Sequence, residues 1–152
     1  MSSFLTFVVA KLAFGLPLEC VQRAFAAVAP RPLPAAPDIV CGIINVQGDV
    51  LPVLNLRRLL GLPEREIEPG DRLLVVSSSR RKLVLIVDSV GDIITCENKD
   101  FVALERVIGG TRHVAGVVKT TDGMLLIHDL DGFLSPLEEQ TLNAALAPTV
   151  CA

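Results

Sequence analysis

The stretch GIINVQGDVLPVL, residues 42–54, constrains the fold more than any other part of the chain. Two β-branched apolar runs flank Gln47-Gly48, the composition of a tight hairpin turn. A lone hairpin is marginal in water, so this one must add to a larger sheet. Pro52 has no N–H to give to a ladder, which predicts an edge strand or a bulge there. Asn55 is a good helix N-cap, Leu56, Leu59 and Leu60 share one helical face, and Gly61 and Pro63 stop the helix. From Gly42 to Leu62 there is no cysteine, no histidine and one acid, Asp49 at the turn. The segment is ordered and chemically quiet.

The rest of the chain reads the same way. Residues 4–10 and 13–16 are expected to be paired strands around Lys11-Leu12, and residues 19–28 a third strand. Pro30, Pro32, Pro34 and Pro37 make an extended surface connection, with one helical turn expected at 38–41. Strands are expected at 72–78 and 83–87, joined by the basic turn Arg80-Arg81-Lys82, whose expected place is a solvated hairpin tip. Residues 93–96 are expected to continue that sheet, and 98–105 to be irregular or weakly helical. Residues 113–119 and 124–127 read as strands around TTDG, 129–134 as a helical turn, and Ser135 caps a last helix to about residue 146 with Pro136 in its first turn. Many short strands with frequent turns define an all-β chain, a barrel or a sandwich. GIINVQGDVLPVLNL and GVVKTTDGMLLIHDL echo each other loosely, which points to two related halves.

Composition narrows the function. At 152 residues the chain suits one domain or two very small ones sharing a core. Its 51% hydrophobic content supports a sizeable core rather than disorder. A net charge of -3 and a pI near 5.3 lack the basic footprint of a nucleic-acid protein. Six Phe without Trp or Tyr offer little platform for base stacking. Cys20, Cys41, Cys96 and Cys151 form no C-x-x-C pair, and His113 and His128 lie apart from them, so neither a metal nor a cofactor is expected. Unpaired cysteines of this kind fit a reducing cytosol. Residues 4–18 are mostly apolar, but Met1-Ser2-Ser3 gives no basic start and Lys11 interrupts the run, so neither a signal peptide nor a membrane span is expected.

No reactive constellation emerges. Asp129 and Asp131 are spaced to cap a helix start rather than to face each other. His128 beside Asp129 lacks a nucleophile in a recognisable context and reads as a surface or satisfied core histidine. His113 reads as a loop residue, and Gly109-Gly110-Thr111 is too short for a phosphate loop. The expectation is a non-catalytic binding or adaptor module.

The hairpin and its helix, GIINVQGDVLPVLNLR, resemble the CheW-like family of chemotaxis coupling proteins. Residues 4–15 resemble the family's opening pair of strands, Val21-Gln22 its entry to the proline-rich connection, and Val87-Asp88-Ser89-Val90 its V-D-x-V segment. Residues 114–134 resemble its closing hairpin and helix. The likeness runs in order over nearly the whole chain.

The resemblance implies a single domain over residues 1–152, built of two small five-stranded β-barrels of SH3/OB-like type. These have swapped strands and share a hydrophobic seam, with short helices and a C-terminal helix. It implies a cytoplasmic scaffold at membrane receptor arrays, with no direct membrane insertion. The partners it implies are the regulatory domain of a CheA-type histidine kinase and the cytoplasmic tip of a methyl-accepting chemoreceptor. The receptor site it implies comprises Val21, Arg23, Gly42, Gln47, Val84, Val90 and Ile93. Two other readings stay open: a detached regulatory module of another chemosensory or pilus-motility kinase system, and a small-molecule-binding β-barrel with a deep apolar pocket. The chain departs from the family pattern at Arg23, where Glu is usual, at Gln47, where Arg is usual, at Asn55 for Asp, and at Val118 for a small residue. Arg23 and Gln47 are therefore expected to be neighbours across the groove, with the positive charge moved from one side to the other.

Overall fold

The computed structural model describes residues 2–103, 114–120 and 123–150. His113, Gly109-Gly110-Thr111, the middle of the TTDG turn and Cys151 lie outside the described residues. The chain opens with β1 (Ser2–Val9) and β2 (Leu12–Pro17), then β3 (Val21–Ala26), β4 (Val40–Val46) and β5 (Asp49–Leu54). Helix α1 (Leu56–Leu60) precedes β6 (Arg72–Ser77), β7 (Lys82–Val87) and β8 (Ser89–Cys96). Then come β9 (Phe101–Ala103), β10 (Val114–Thr120), β11 (Gly123–His128), a 3-10 turn at Leu130–Gly132, and α2 (Pro136–Val150). Strands dominate, as the alternating and continuous apolar runs demand.

They form two sheets, one of six strands in the order β8-β1-β2-β11-β10-β9 and one of five in the order β3-β6-β7-β5-β4. The five-stranded sheet is a contiguous insert between the first and last parts of the other. The sequence echo has a topological counterpart. The hairpins β4–β5 and β10–β11 each carry a register shift beside a glycine, between Val40 and Gly42 and between Val114 and Gly116. Each second strand then runs parallel to a strand of another hairpin, β5 to β7 and β11 to β2. Even the sixth strand has a counterpart. Val102 of β9 pairs with Val117, and Arg31 makes an isolated bridge to the equivalent Ile43.

Several expectations are corrected. β5 is an interior strand, not an edge. Its recorded pairing to β7 starts at Val53, just past Pro52, so the missing N–H costs little. Residues 38–39 form a hydrogen-bonded turn, Val40 N–H to Pro37 carbonyl at 2.9 Å, not a helical one. Residues 93–96 belong to β8, which leaves the five-stranded sheet and pairs with β1. Phe101–Ala103 is a short strand that the sequence pattern did not announce.

Burial explains why β6 and β7 are apolar without a break. Leu74, Val76, Leu83, Leu85 and Val87 point into a seam between the sheets, while Leu73, Val75 and Val84 point into the hollow of their own sheet. The seam is the largest cluster and also takes Phe7, Phe14, Leu56, Phe133 and Leu142, all nearly or fully buried. A smaller cluster, Phe4, Val118, Leu125 and Ile127, fills the hollow of the six-stranded sheet. His128 is 1% exposed and lies among the rings of Phe14, Phe133 and Phe7 at 4.9, 5.4 and 5.9 Å, so it is a core residue.

Candidate functional site

The five-stranded sheet curls until its two edges face each other. Arg23, Ala24 and Phe25 of β3 and Asn45, Val46 and Gln47 at the end of β4 line one open groove of about 550 Å³. Gln47 and Gly48 both take positive φ, 52° and 92°, the backbone that a tight hairpin with the right twist requires. The Gly48 N–H donates to Asn45 Oδ1 at 2.8 Å, which fixes the turn at the groove mouth. Arg23 and Gln47 are both exposed. The expected neighbours thus line one groove, although no hydrogen bond joins them among the described residues.

The other residues implied by the resemblance are more dispersed. Val21 is half-buried opposite Val76 and packs on the seam. Gly42 is buried opposite Val53, and a Cβ there would collide with the Arg31 carbonyl. Val84 is fully buried in the hollow of its sheet. Val90 and Ile93 lie on β8 opposite Phe7 and Leu5, Val90 half-buried against the seam and Ile93 57% exposed.

A cluster of charges at the sheet junction was missed by sequence reasoning. Arg57 Nη2 of α1 donates to both Asp88 oxygens at 2.9 and 2.8 Å. Asp88 lies where the chain leaves β7 for β8, and it also accepts the Ala10 N–H of the β1–β2 turn at 2.9 Å. Arg65 bonds Asp88 at 3.1 Å and both oxygens of Asp71, at 2.9 and 2.8 Å. The Arg65 guanidinium holds the Asp71 carboxyl below its ordinary range. The V-D-x-V segment was a signal for Asp88; nothing in sequence spacing singled out Arg65.

A second cluster corrects the expected solvated tip at Arg80-Arg81-Lys82. Arg81 Nε donates to Glu139 Oε2 of α2 at 2.8 Å and also bonds Asn143. Asp131 accepts from both Ser79 N–H and Ser79 Oγ, at 2.7 and 2.8 Å. The N–H of Ser79, and after it the hydroxyl, hold the Asp131 carboxyl below its ordinary range. The β6–β7 turn is therefore clasped by the elements that follow β11, just as the β1–β2 turn is held by Asp88, itself gripped by Arg57 of the helix that follows β5.

No reactive centre forms among the described residues. Burial pushes the Cys41 thiol up to about 11, so it stays protonated at neutral pH, and burial raises Cys20 too. No group of three His, Cys, Asp or Glu residues that could hold a metal ion occurs among the described residues. The pocket at the charge cluster is small, about 120 Å³, and its Arg57, Arg65, Asp71 and Asp88 engage one another. Among the described residues the hollows of both sheets are packed with side chains, without a deep apolar pocket of the kind a ligand-binding barrel offers.

Two interlocked sheets with filled interiors and open surface grooves define a small all-β docking module. The chain belongs to the CheW-like domain family, whose model matches residues 3–138. It is 28% identical over 143 residues to the chemotaxis protein CheW of Treponema pallidum, covering 90% of this chain and 84% of that one. It is 31% identical over 131 residues to the protein FrzA of Myxococcus xanthus, covering 84% and 81%. The crystal structure of the scaffolding protein TtCheW from Thermoanaerobacter tengcongensis matches with a TM-score of 0.81 at 27% identity, covering 90% and 94%. Fold and family are those of chemotaxis scaffold proteins.

Proposed function

We propose that this chain is a non-catalytic coupling adaptor that joins chemoreceptors to a CheA-type histidine kinase in a chemosensory array. The observation that carries the reading, beside the family match, is that the two sheets offer two unlike docking surfaces. An adaptor needs at least two. One is the groove between β3 and β4, the surface for the receptor tip.

The other lies on the six-stranded sheet. Leu126 sits opposite Val117, and Val117 opposite Val102, on one face of three adjoining strands. Met124 and Leu12 extend this strip on the same face, and Met124 is 77% exposed. A contiguous exposed apolar strip marks an interaction site. It is the docking surface for the kinase regulatory domain, with an interface of roughly 1,000–1,600 Å². No helix among the described residues is long and apolar enough to cross a membrane, which accords with a cytoplasmic protein held at arrays by its partners.

Calorimetry with the kinase and with receptor cytoplasmic fragments from the same genome tests this. Met124→Glu with Leu126→Glu is expected to abolish kinase binding at tens of micromolar and leave receptor binding intact. Failure of the unaltered protein to bind the kinase sinks the reading.

A further inference from the structure

A second groove of about 650 Å³ runs beside the proline-rich connection and adjoins the groove at Arg23 through Asn45, which lines both. Among the described residues the charged ones that line the pair are Arg23 and Arg31, and no described Asp or Glu lines either. Both arginines are exposed. Neither guanidinium makes an ion pair or hydrogen bond with a described residue, whereas Arg57, Arg58, Arg65, Arg80 and Arg81 all face carboxylates. In a chain of net charge -3, an acid-free cleft with two unengaged arginines stands apart. Between them the lining is mostly apolar, Phe25, Val46, Ile43, Val50 and Val28, the last 53% exposed, with the polar Asn45 and Gln47 among them.

We propose that this cleft along β4 binds an acidic amphipathic segment, with carboxylates at Arg23 and Arg31 and apolar side chains against Phe25, Val46 and Val50. Taking that segment to be the receptor tip rests on the coupling reading above. Charge complementarity decides the occupant. A segment with basic residues at those points would meet two like charges with no acid among the described lining residues to offset them, so the cleft rejects as well as selects. Gln47 adds a neutral donor and acceptor at the mouth, which serves a carboxylate without adding a third positive charge.

Two measurements test the proposal separately from the coupling reading. The first is NMR of the full chain titrated with a synthetic amphipathic peptide carrying glutamates, and with the same peptide carrying lysines instead. The glutamate peptide is expected to shift the signals of Phe25, Asn45, Val46 and Gln47, and the lysine peptide to leave them unmoved. Equal effects of the two peptides, or no shift with either, overturn the cleft. The second is calorimetry with receptor fragments of the same genome. Arg23→Glu and Arg31→Glu are each expected to weaken binding at least about two- to fivefold, with the affinity of the unaltered chain falling as salt rises. Kinase affinity is expected to be unchanged. A receptor fragment that binds the unaltered chain and both charge-reversed variants alike overturns the assignment to the receptor. Glutamate-peptide binding without any receptor binding would keep the cleft and discard its receptor.

Discussion

At the scale of single residues, close approach and charge pairing decide most outcomes. Gly42 lies where a Cβ would press on the Arg31 carbonyl. Gly42→Ala is expected to break the Arg31–Ile43 bridge and cost about 1–3 kcal/mol, read as a lower urea midpoint. Gly116, against the Val102 carbonyl, is expected to behave alike. Asp71 is held below its ordinary range chiefly by Arg65, so its folded pKa lies below its unfolded value of about 3.9. Its contribution is therefore complete above that unfolded value and is lost as the pH falls through the folded one. The urea midpoint is expected to fall steeply below about pH 4 in the unaltered protein and less steeply in Asp71→Asn. Glycine positions of this kind are legible in sequence only as departures from strand propensity. The partners of Asp71 are not legible, because they depend on how a charged loop folds back.

At the scale of elements, the sequence carried the hairpins and the helix start well. Asn55 caps α1 by accepting the Arg58 N–H at 3.2 Å, and Gly61 ends it in the left-handed region at φ 70°. Ser135 and Glu138 form a reciprocal cap on α2, at 2.8 and 3.1 Å. The face of α1 was read only in part. Leu56 is 1% exposed, while Leu59 and Leu60 are half-buried. Leu56→Ala is expected to cost about 2–5 kcal/mol and Leu59→Ala clearly less, with Asn55→Ala near 1 kcal/mol, all by denaturant titration. Equal losses for Leu56 and Leu59 would show that the helix packs differently. What failed at this scale were strand neighbours. Pro52 looked like an edge because propensity cannot see that pairing on its other side begins one residue later. β8 looked like a continuation because nothing local marks Asp88 as the crossing between sheets.

At the scale of the molecule, the two sheets share one seam and hold each other's turns. Asp88 anchors the β1–β2 turn, and Glu139, Asn143 and Asp131 anchor the β6–β7 turn. Unfolding is therefore expected to be one cooperative transition, with fluorescence-free probes such as circular dichroism and calorimetry giving coincident midpoints. Asp88→Ala leaves Arg57 and Arg65 without that acceptor and is expected to cost about 1–3 kcal/mol. Arg81→Ala is expected to act in the same direction through Glu139. In both variants the single transition should persist at a lower midpoint. Two separated transitions would mean that the sheets are independent domains.

The reciprocal clasp has a consequence for how such a scaffold works in a crowded array. Two separately encoded halves of this shape would have to meet by diffusion, and their union would depend on how much of each the cell made. Joined on one chain, they associate at an effective concentration set by the tether, in the millimolar range for short connections. Both outer faces are then present together however little protein is made. Because each half is fixed in place by the other, their outer faces are free to diverge. The position that is Leu12 on one sheet is Arg81 on the other, one left bare and one covered by a helix. A symmetric pair presents the same face twice, whereas this chain presents two different ones in fixed relation to each other.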